Sequence, residues 1–351
     1  MAGASGVARV VERVERACDS PADSRSLRVA VLDELRSAIT FDGYAWLLTD
    51  PVTEVGCSPL ADVPWLAELP RQIRLKYQSA VNRWTSLKDP PVSLLRRATS
   101  GRPEASLVWR DLLRGHGVSD TASVVFRDRY GCWSFLELWR SGSDDAFTDA
   151  DAELLTAITE PVTRALRRCQ ASTFEETSSA PARSGPVVLV LSPELDVRAQ
   201  TPETDGYLRV LVPPEGDRRP IPAAAYNVAA QLLAVEAGVD DHPPTARVHL
   251  HGGIWLTLRA ARIGEAGTDR DIAVTIETTS PVERLDLFIR AFGLSGREGE
   301  LLSRLTAGAD TRGVAAAMFV SEHTVQDHLK SIFAKTGAQS RRSLLARATG
   351  L

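Results

Sequence analysis

Polar side chains near the C-terminus recur at the spacing of one helix face. They are His323, Gln326, Asp327 and Lys330, and the opposite face carries Val325, Leu329, Ile332 and Phe333. Imidazole, amide, carboxylate and ammonium groups can hydrogen-bond to base edges and phosphates. The polar stripe is about as long as a helix that enters the major groove of DNA. The pattern therefore predicts a helix that reads nucleic acid.

Start and stop signals divide the surrounding sequence into four short helices. The expected caps are Ser295, with Glu298 completing a capping box, then Gly308, Asp310, Ser321 and Gly337. The link through residues 317–320 is too short for the second and third helices to separate, which predicts a helix-turn-helix. Free backbone amides beside Ser321 and Thr324 offer a seat for a phosphate.

Residues at fixed spacing across this segment form a longer pattern. They are Leu294-Ser-Gly-Arg-Glu298, Gly308, Val314-Ala315, Val320-Ser321, Thr324-Val325, His328, Ile332, Lys335, Gly337 and Arg341. The pattern, over residues 294 to about 347, resembles the LuxR-type (GerE-like) DNA-binding domain of bacterial transcription regulators. The resemblance implies an all-α domain of four helices, whose third helix reads the major groove and whose fourth helix helps to form a dimer on DNA.

The resemblance also assigns contacts to individual residues. Gln326, Asp327 and Lys330 take positions that face bases and phosphates, and Thr324 and Arg341 take backbone contacts. The complete predicted DNA-binding set is Ser321, His323, Thr324, Val325, Gln326, Asp327, Lys330 and Arg341. Asp327 is a departure, because phosphate repels its carboxylate even though the carboxylate can accept a hydrogen bond from cytosine N4.

The distribution of charge supports this assignment. The whole chain of 351 residues has a net charge of −4, which by itself counts against nucleic acid as a partner. Residues 294–351 hold eight Lys and Arg against five Asp and Glu, so they carry +3 and leave −7 on the remainder. A basic module on an acidic body is expected when only one part of a chain touches an anion.

The rest of the chain predicts a multidomain protein. Hydrophobic residues make up 44% and charged residues 25%, as in a soluble globular protein. A stretch rich in Ser, Thr, Ala and Pro at 171–185 is typical of a linker. The expected domains are 1–170, 186–280 and 294–351, with a connector helix at 281–293. We find no internal repeat in the sequence.

The first domain, residues 1–170, resembles a GAF-like α/β sensor and dimerisation domain in its order of elements. Its predicted strands are Tyr44–Thr49, Ala122–Arg127 and Cys132–Arg140, between N-terminal helices and a closing helix that begins near Thr148. Six of the seven tryptophans lie in this domain. Trp46, Trp84, Trp109 and Trp133 are candidates for lining a ligand pocket, and ordinary core packing is the alternative.

The second domain, residues 186–280, resembles a small α+β PAS-like domain. Its predicted elements are two short strands, a helix and a terminal hairpin formed by Arg247–Ile263 and Ile272–Thr278. The connector helix that follows carries apolar side chains at helical spacing. They are Val282, Leu285, Phe288 and Phe292.

Other kinds of chemistry find little support. The sequence has no nucleophile motif, phosphate-binding loop or paired metal-ligand spacing, so we expect no enzymatic activity, no cofactor and no metal. His249 and His251 share one strand face but lack a third ligand, which favours a solvent-facing strand edge. The four cysteines are Cys18, Cys57, Cys132 and Cys169, and their scatter predicts reduced thiols.

Two functional hypotheses follow. The first is a cytoplasmic, sequence-specific DNA-binding transcription regulator controlled by a small molecule that the GAF-like and PAS-like domains sense. Its expected partners are double-stranded DNA, a second copy of the chain, an unidentified effector and, as an option, RNA polymerase, and no membrane. The second is a protein-interaction adaptor whose C-terminal module contacts a partner protein instead of DNA.

Overall fold

The computed structural model describes residues 4–19, 21–142, 146–175, 187–211, 222–250, 253–264 and 270–350. The chain divides into two compact units. The larger unit comprises Met1–Leu166, Arg183–Val248 and Leu256–Glu277, and the smaller unit comprises Arg167–Ala182, His249–Trp255 and Thr278–Leu351. None of the helices in the described ranges is long and apolar enough to cross a membrane.

The first sheet of the larger unit is antiparallel. Its strands are β1 (Gly43–Thr49), β2 (Gly56–Asp62), β3 (Val92–Leu94), β4 (Val118–Asp128) and β5 (Gly131–Ser141), in the order β2-β1-β5-β4-β3. The helices of this part of the chain are α1 (Ala4–Asp19), α2 (Ser24–Arg36), α3 (Leu69–Gln78), α4 (Leu95–Ala98), α5 (Leu107–Asp111) and α6 (Asp149–Ser172). Nearly every residue of β4 and β5 is buried, so both faces of these strands are covered.

The strands predicted in this region are confirmed, and each is longer than its sequence pattern. Strands β2 and β3 were not predicted, because β2 contains Pro59 and β3 has only three residues. Ala171 and Ser172 of the predicted linker belong to α6. Residues 176–185 of that linker lie outside the described residues.

The second sheet of the larger unit has the order β7-β6-β10-β9-β8. Its strands are β6 (Val188–Leu191), β7 (Val197–Gln200), β8 (Thr245–Leu250), β9 (Ile254–Arg262) and β10 (Ile272–Thr278). The helices between them are α7 (Pro202–Leu211) and α8 (Ala223–Glu236). Almost the whole of α8 is buried, because small alanine side chains let neighbouring elements approach it on several sides.

The single strand predicted at Arg247–Ile263 is wrong. The structure divides it into β8 and β9 around Gly253, whose φ is 73°, in the left-handed region that glycine tolerates. The apolar alternation continues on both sides of the turn and hides it, although consecutive glycines at 252 and 253 are a turn signal. Residues 251–252, including His251, lie outside the described residues.

The two sheets share one topology. In each, the strand that comes fifth in chain order lies at the centre, between the first and the fourth, and the second and third form the edges. The sequence shows no matching repeat, so the two sheets share a strand order without a shared sequence pattern.

A buried ion pair joins the two sheet regions of the larger unit. Arg247 on β8 donates from Nε and Nη2 to the two carboxylate oxygens of Asp50 at 2.7 and 2.8 Å, and Asp50 directly follows β1. The Asp50 side chain is 0% exposed and that of Arg247 is 7% exposed. Burial alone would raise the pKa of Asp50, but its bonds to Arg247 hold the pKa below the ordinary value.

A second buried pair acts in the same way. Arg83 donates to the Asp240 carboxylate at 2.6 Å and to the Gln231 side chain of α8 at 2.9 Å. His242 Nδ1 lies 2.6 Å from the other oxygen of Asp240, and this contact raises the pKa of His242. The segment after α8 is therefore held to the first sheet region by charged hydrogen bonds without access to water.

The smaller unit is mainly helical. Its helices are α9 (Pro281–Ala291), α10 (Gly296–Thr306), α11 (Thr311–Met318), α12 (Glu322–Thr336) and α13 (Arg341–Thr349). Phe174, Trp255 and Phe288 pack together, with ring centroids 5.3 Å apart for Phe174 and Trp255 and 5.4 Å apart for Phe174 and Phe288. Three distant parts of the sequence therefore share one aromatic cluster. Val282, predicted on the apolar stripe of the connector, is instead 77% exposed.

We expect Asp50→Asn to lower the free energy of unfolding by about 3–5 kcal/mol, because Arg247 would remain buried without an opposite charge. The asparagine keeps a side-chain oxygen for the turn after β1, so the change isolates the charge. Glu277→Gln, which breaks the exposed pair with Arg259, is the matched control and should cost about 0–1 kcal/mol. Urea unfolding measures both free energies. Equal small losses of stability in the two variants would contradict a stabilising role for the buried pair of Asp50 and Arg247.

Candidate nucleic-acid interface

Polar caps define the starts of α10, α11 and α12, as predicted. Ser295 Oγ accepts a hydrogen bond from Glu298 N at 3.3 Å, and Glu298 Oε2 accepts one from Ser295 N at 2.6 Å. Asp310 accepts from Gly313 N at 2.7 Å, and Ser321 accepts from Thr324 N at 3.1 Å. These bonds satisfy amides that a helix leaves without partners, so the helix starts are set by local sequence.

The junction of α11 and α12 is a tight turn. Phe319 takes a left-handed conformation with a φ of 58°, and Val320 N donates back to Ala315 O at 3.0 Å. Ser321 then caps α12. The turn therefore spans fewer residues than the predicted link of 317–320, since Ala317 and Met318 belong to α11. The pair of helices has the compact connection of a helix-turn-helix.

Glu298 connects the first helix of the region to α12. It is 3% exposed, and its carboxylate accepts from Ser331 Oγ and Lys335 Nζ, each at 2.6 Å. Burial alone would raise the pKa of Glu298, but Lys335, Ser331 and Ser295 lower it to about 2. The capping box predicted only the bond to Ser295. The link to Lys335 was missed, because no local signal connects residues 37 positions apart.

Helix α12 has one buried and one exposed face. Val325, Leu329, Ile332 and Thr336 are buried, and Phe333 is only partly buried. His323, Gln326, Asp327 and Lys330 are exposed, as their spacing predicted. The prediction that the Val325 side chain contacts DNA is wrong, because this side chain is 0% exposed and packs inside the unit. Val325 therefore positions the helix without presenting a side chain to a ligand.

Polar and charged side chains on the exposed face of α12 contact each other. Asp327 lies 3.0 Å from Lys330 Nζ through one oxygen and 3.1 Å from His323 Nδ1 through the other. The hydrogen bond from Lys330, with His323 beside it, lowers the pKa of Asp327. The carboxylate is thus partly neutralised where it would otherwise repel a phosphate.

The remaining predicted contacts differ in their exposure. Ser321 is exposed and its Oγ lies 2.9 Å from Thr324 Oγ1, so the two hydroxyls share a position at the start of α12. Arg341 is partly buried and donates from Nη2 to Ala309 O at 2.6 Å. This bond anchors the start of α13 to the segment before α11, a structural role that the sequence pattern did not indicate.

The four tryptophans predicted as candidates for lining a ligand pocket lie in the larger unit. Trp46, Trp84 and Trp133 are 0%, 1% and 3% exposed, and Trp109 is partly buried. Each indole N–H donates within the chain, to Ser134, Glu54, Asp128 and Val118 respectively. Trp139, which was not named, is 1% exposed, and its Nε1 has no hydrogen-bond partner within the described ranges.

Asp240, Asp241 and His242 bring potential metal ligands within 4.8 Å of one another. Asp240 already accepts hydrogen bonds from Arg83 and Thr85, while Asp241 is fully exposed. Both of these bonds go to Oδ2 of Asp240, and Oδ1 lies 2.6 Å from His242 Nδ1, so the cluster fits an ion-paired turn better than a metal centre.

The comparison with protein families places the C-terminal region in a known class. Residues 293–348 match the family described as bacterial regulatory proteins, luxR family. This segment is a LuxR-family helix-turn-helix domain. Over 60 residues the chain is 37% identical to the probable HTH-type transcriptional regulator GfsR of Streptomyces halstedii. The match covers 17% of this chain and 25% of that protein, so the chain spans about a quarter of the curated relative.

Two solved structures are similar over longer stretches at low identity. The crystal structure of Escherichia coli SdiA aligns at 13% identity and a TM-score of 0.37, covering 99% of this chain and 98% of that chain. The sensor region of a sensor histidine kinase aligns at 13% identity and a TM-score of 0.17, covering 79% and 93% respectively. TM-scores this low assign no fold to the two sheet regions.

We expect Glu298→Gln to destabilise the helix-turn-helix domain by about 2–3 kcal/mol near neutral pH. The folded pKa lies below the ordinary value, so this stabilisation is complete above about pH 5 and is lost as the pH falls towards 2. Urea unfolding followed by circular dichroism at several pH values measures it. Glu322→Gln, at an exposed position at the start of α12, is the control. An unchanged pH dependence in Glu298→Gln would contradict the assignment.

Proposed function

We propose that this protein is a DNA-binding transcription regulator that reads the major groove through the exposed face of α12. The observation that carries the proposal is the polar row of His323, Gln326, Asp327 and Lys330 on the recognition helix of a LuxR-family domain. The positive charge of residues 294–351, on an otherwise acidic chain, supports the same partner.

The exposed residues divide into two roles. Gln326 presents an amide that matches the donor and acceptor pattern of adenine, and Lys330 presents an ammonium that suits guanine or phosphate. Asp327, held by Lys330 and His323, offers a carboxylate oxygen to cytosine N4. Ser321, Thr324 and Arg341 would contact the DNA backbone and so fix the register of the helix.

The proposed regulator acts as a homodimer on a partly palindromic site, with RNA polymerase as a further partner. Its sensor domains are the GAF-like residues 1–170 and the PAS-like residues 186–280, which would respond to a small molecule. The connector α9 would pass that response to the DNA-binding domain. The packing of Phe288 in α9 against Phe174 and Phe292 supports a rigid connector, since an aromatic cluster resists small displacements.

The first experiment measures the affinity of the full chain for a random-sequence DNA duplex and for a site selected in vitro. Lys330→Ala should weaken binding to both and reduce the slope of log affinity against log salt by about 1, because one counterion fewer is released. Gln326→Ala should cost about 1–3 kcal/mol on the selected site and little on random DNA. Arg297→Ala, an exposed change on α10, is the control.

Asp327 provides a sharper check. Removing Lys330 also exposes the Asp327 carboxylate to phosphate, so part of the loss in Lys330→Ala is repulsion. Asp327→Asn in the Lys330→Ala background should therefore recover some affinity. Absence of DNA binding at every ionic strength would contradict the proposal and favour an adaptor that contacts a partner protein through this module.

Native mass spectrometry tests the homodimer and the effector together. The proposal expects a species of twice the chain mass, with additional mass where an effector is retained. If the chain is a monomer and does not bind DNA that carries two half-sites, the dimeric mechanism is contradicted.

A further inference from the structure

Phe319, in the turn between α11 and α12, is exposed to an unusual degree. Its side chain is 95% exposed, more than any other large hydrophobic residue in the described ranges. Its φ of 58° places a bulky residue in the left-handed region. Exposing a phenyl ring to water and holding it at positive φ both cost free energy, so stability does not explain this residue.

Two other helices of the smaller unit have glycine at the left-handed position where they end. Helices α12 and α13 also end at a left-handed residue, and there it is Gly337, with a φ of 67°, and Gly350, with a φ of 78°. Glycine fits this conformation without strain, and a helix end requires nothing more of the residue. Phe319 therefore occupies a glycine position with a large apolar side chain that has no packing role within the unit.

The exposed part of α11 next to Phe319 is apolar and small, whereas on the other side of the turn Ser321 and Glu322 are polar and exposed. The exposed residues of α11 nearest to the turn are Gly313, Ala316 and Ala317, and Arg312 carries the nearest charge on that helix. In a helix-turn-helix, the first helix crosses the DNA backbone while the second enters the major groove. On DNA, the turn between them would therefore lie beside the edge of the groove, close to the sugar-phosphate backbone.

We propose that Phe319 packs against deoxyribose rings of double-stranded DNA at the edge of the major groove. The inference rests on the proposed function and extends the same surface, because Phe319 lies two residues before Ser321 at the start of α12. Sugars are present at every base pair and carry no charge. The contact should therefore add affinity for all DNA sequences and contribute nothing to its salt dependence.

The test uses the full chain and a labelled random-sequence duplex at several salt concentrations. Phe319→Gly should weaken binding about tenfold without changing the salt slope, and its thermal midpoint should stay the same or rise. Phe319→Asn, which also tolerates positive φ, should behave alike. Phe319→Leu keeps an apolar contact and should lose about threefold or less. Val282→Ser, at an exposed position on α9, should change nothing.

The possible failures are distinct. Unchanged affinity in Phe319→Gly beside weakened binding in Lys330→Ala overturns the inference and leaves the proposed function intact. Failure of the wild-type chain to bind DNA overturns the proposed function itself. A lower thermal midpoint in both Phe319→Gly and Phe319→Asn overturns the inference, since the ring would then stabilise the fold. If Phe319→Gly loses a dimer that the wild-type chain forms in native mass spectrometry, the inference is also overturned, because the ring would then belong to a contact between two copies of the chain.

Discussion

The carboxylate of Glu298 determines where the recognition helix lies. The Glu298 carboxylate completes the capping box of α10 by accepting from Ser295 N. The same carboxylate also accepts hydrogen bonds from Ser331 and Lys335 of α12. Charged hydrogen bonds of this kind weaken steeply with small shifts, so the angle between the two helices is narrowly defined. The apolar contacts of Val325, Leu329 and Ile332 fill the space between helices, but apolar packing alone tolerates rotation about the helix axis. The buried carboxylate removes that freedom.

The exposed face of α12 is set by its buried face. Because Val325, Leu329 and Ile332 pack inside the unit, the residues on the opposite side of the helix face water. Asp327 is then tolerable in a basic module because Lys330 and His323 both pair with it. The same pairing holds the Lys330 ammonium close to the helix surface. A face that carries both signs of charge attracts phosphate less strongly than a purely basic one.

Sequence reasoning reached the local features and missed the distant ones. The caps at Ser295, Asp310 and Ser321 could be predicted because each depends on residues within one helical turn. The bond between Glu298 and Lys335, the buried pair of Asp50 and Arg247, and the anchoring of Arg341 to Ala309 join parts of the chain that no short pattern relates. The division at Gly253 was missed for a different reason, since apolar alternation ran through the turn and outweighed the glycine signal.

Arg284 shows how the connector helix is held in the smaller unit. Its guanidinium is 5% exposed and donates to the carbonyls of Gly253 at 3.0 Å and Arg347 at 3.3 Å, above the ring of Phe174. Within the described ranges no carboxylate pairs with it, and burial lowers its pKa to about 10. The carbonyl of Arg347 belongs to the last turn of α13, where the helix dipole is negative, so it stabilises a cation. Two carbonyls and the face of the Phe174 ring therefore support this buried charge in place of a carboxylate. A shift of α9 would therefore disturb α13 directly, because Arg284 joins the two helices.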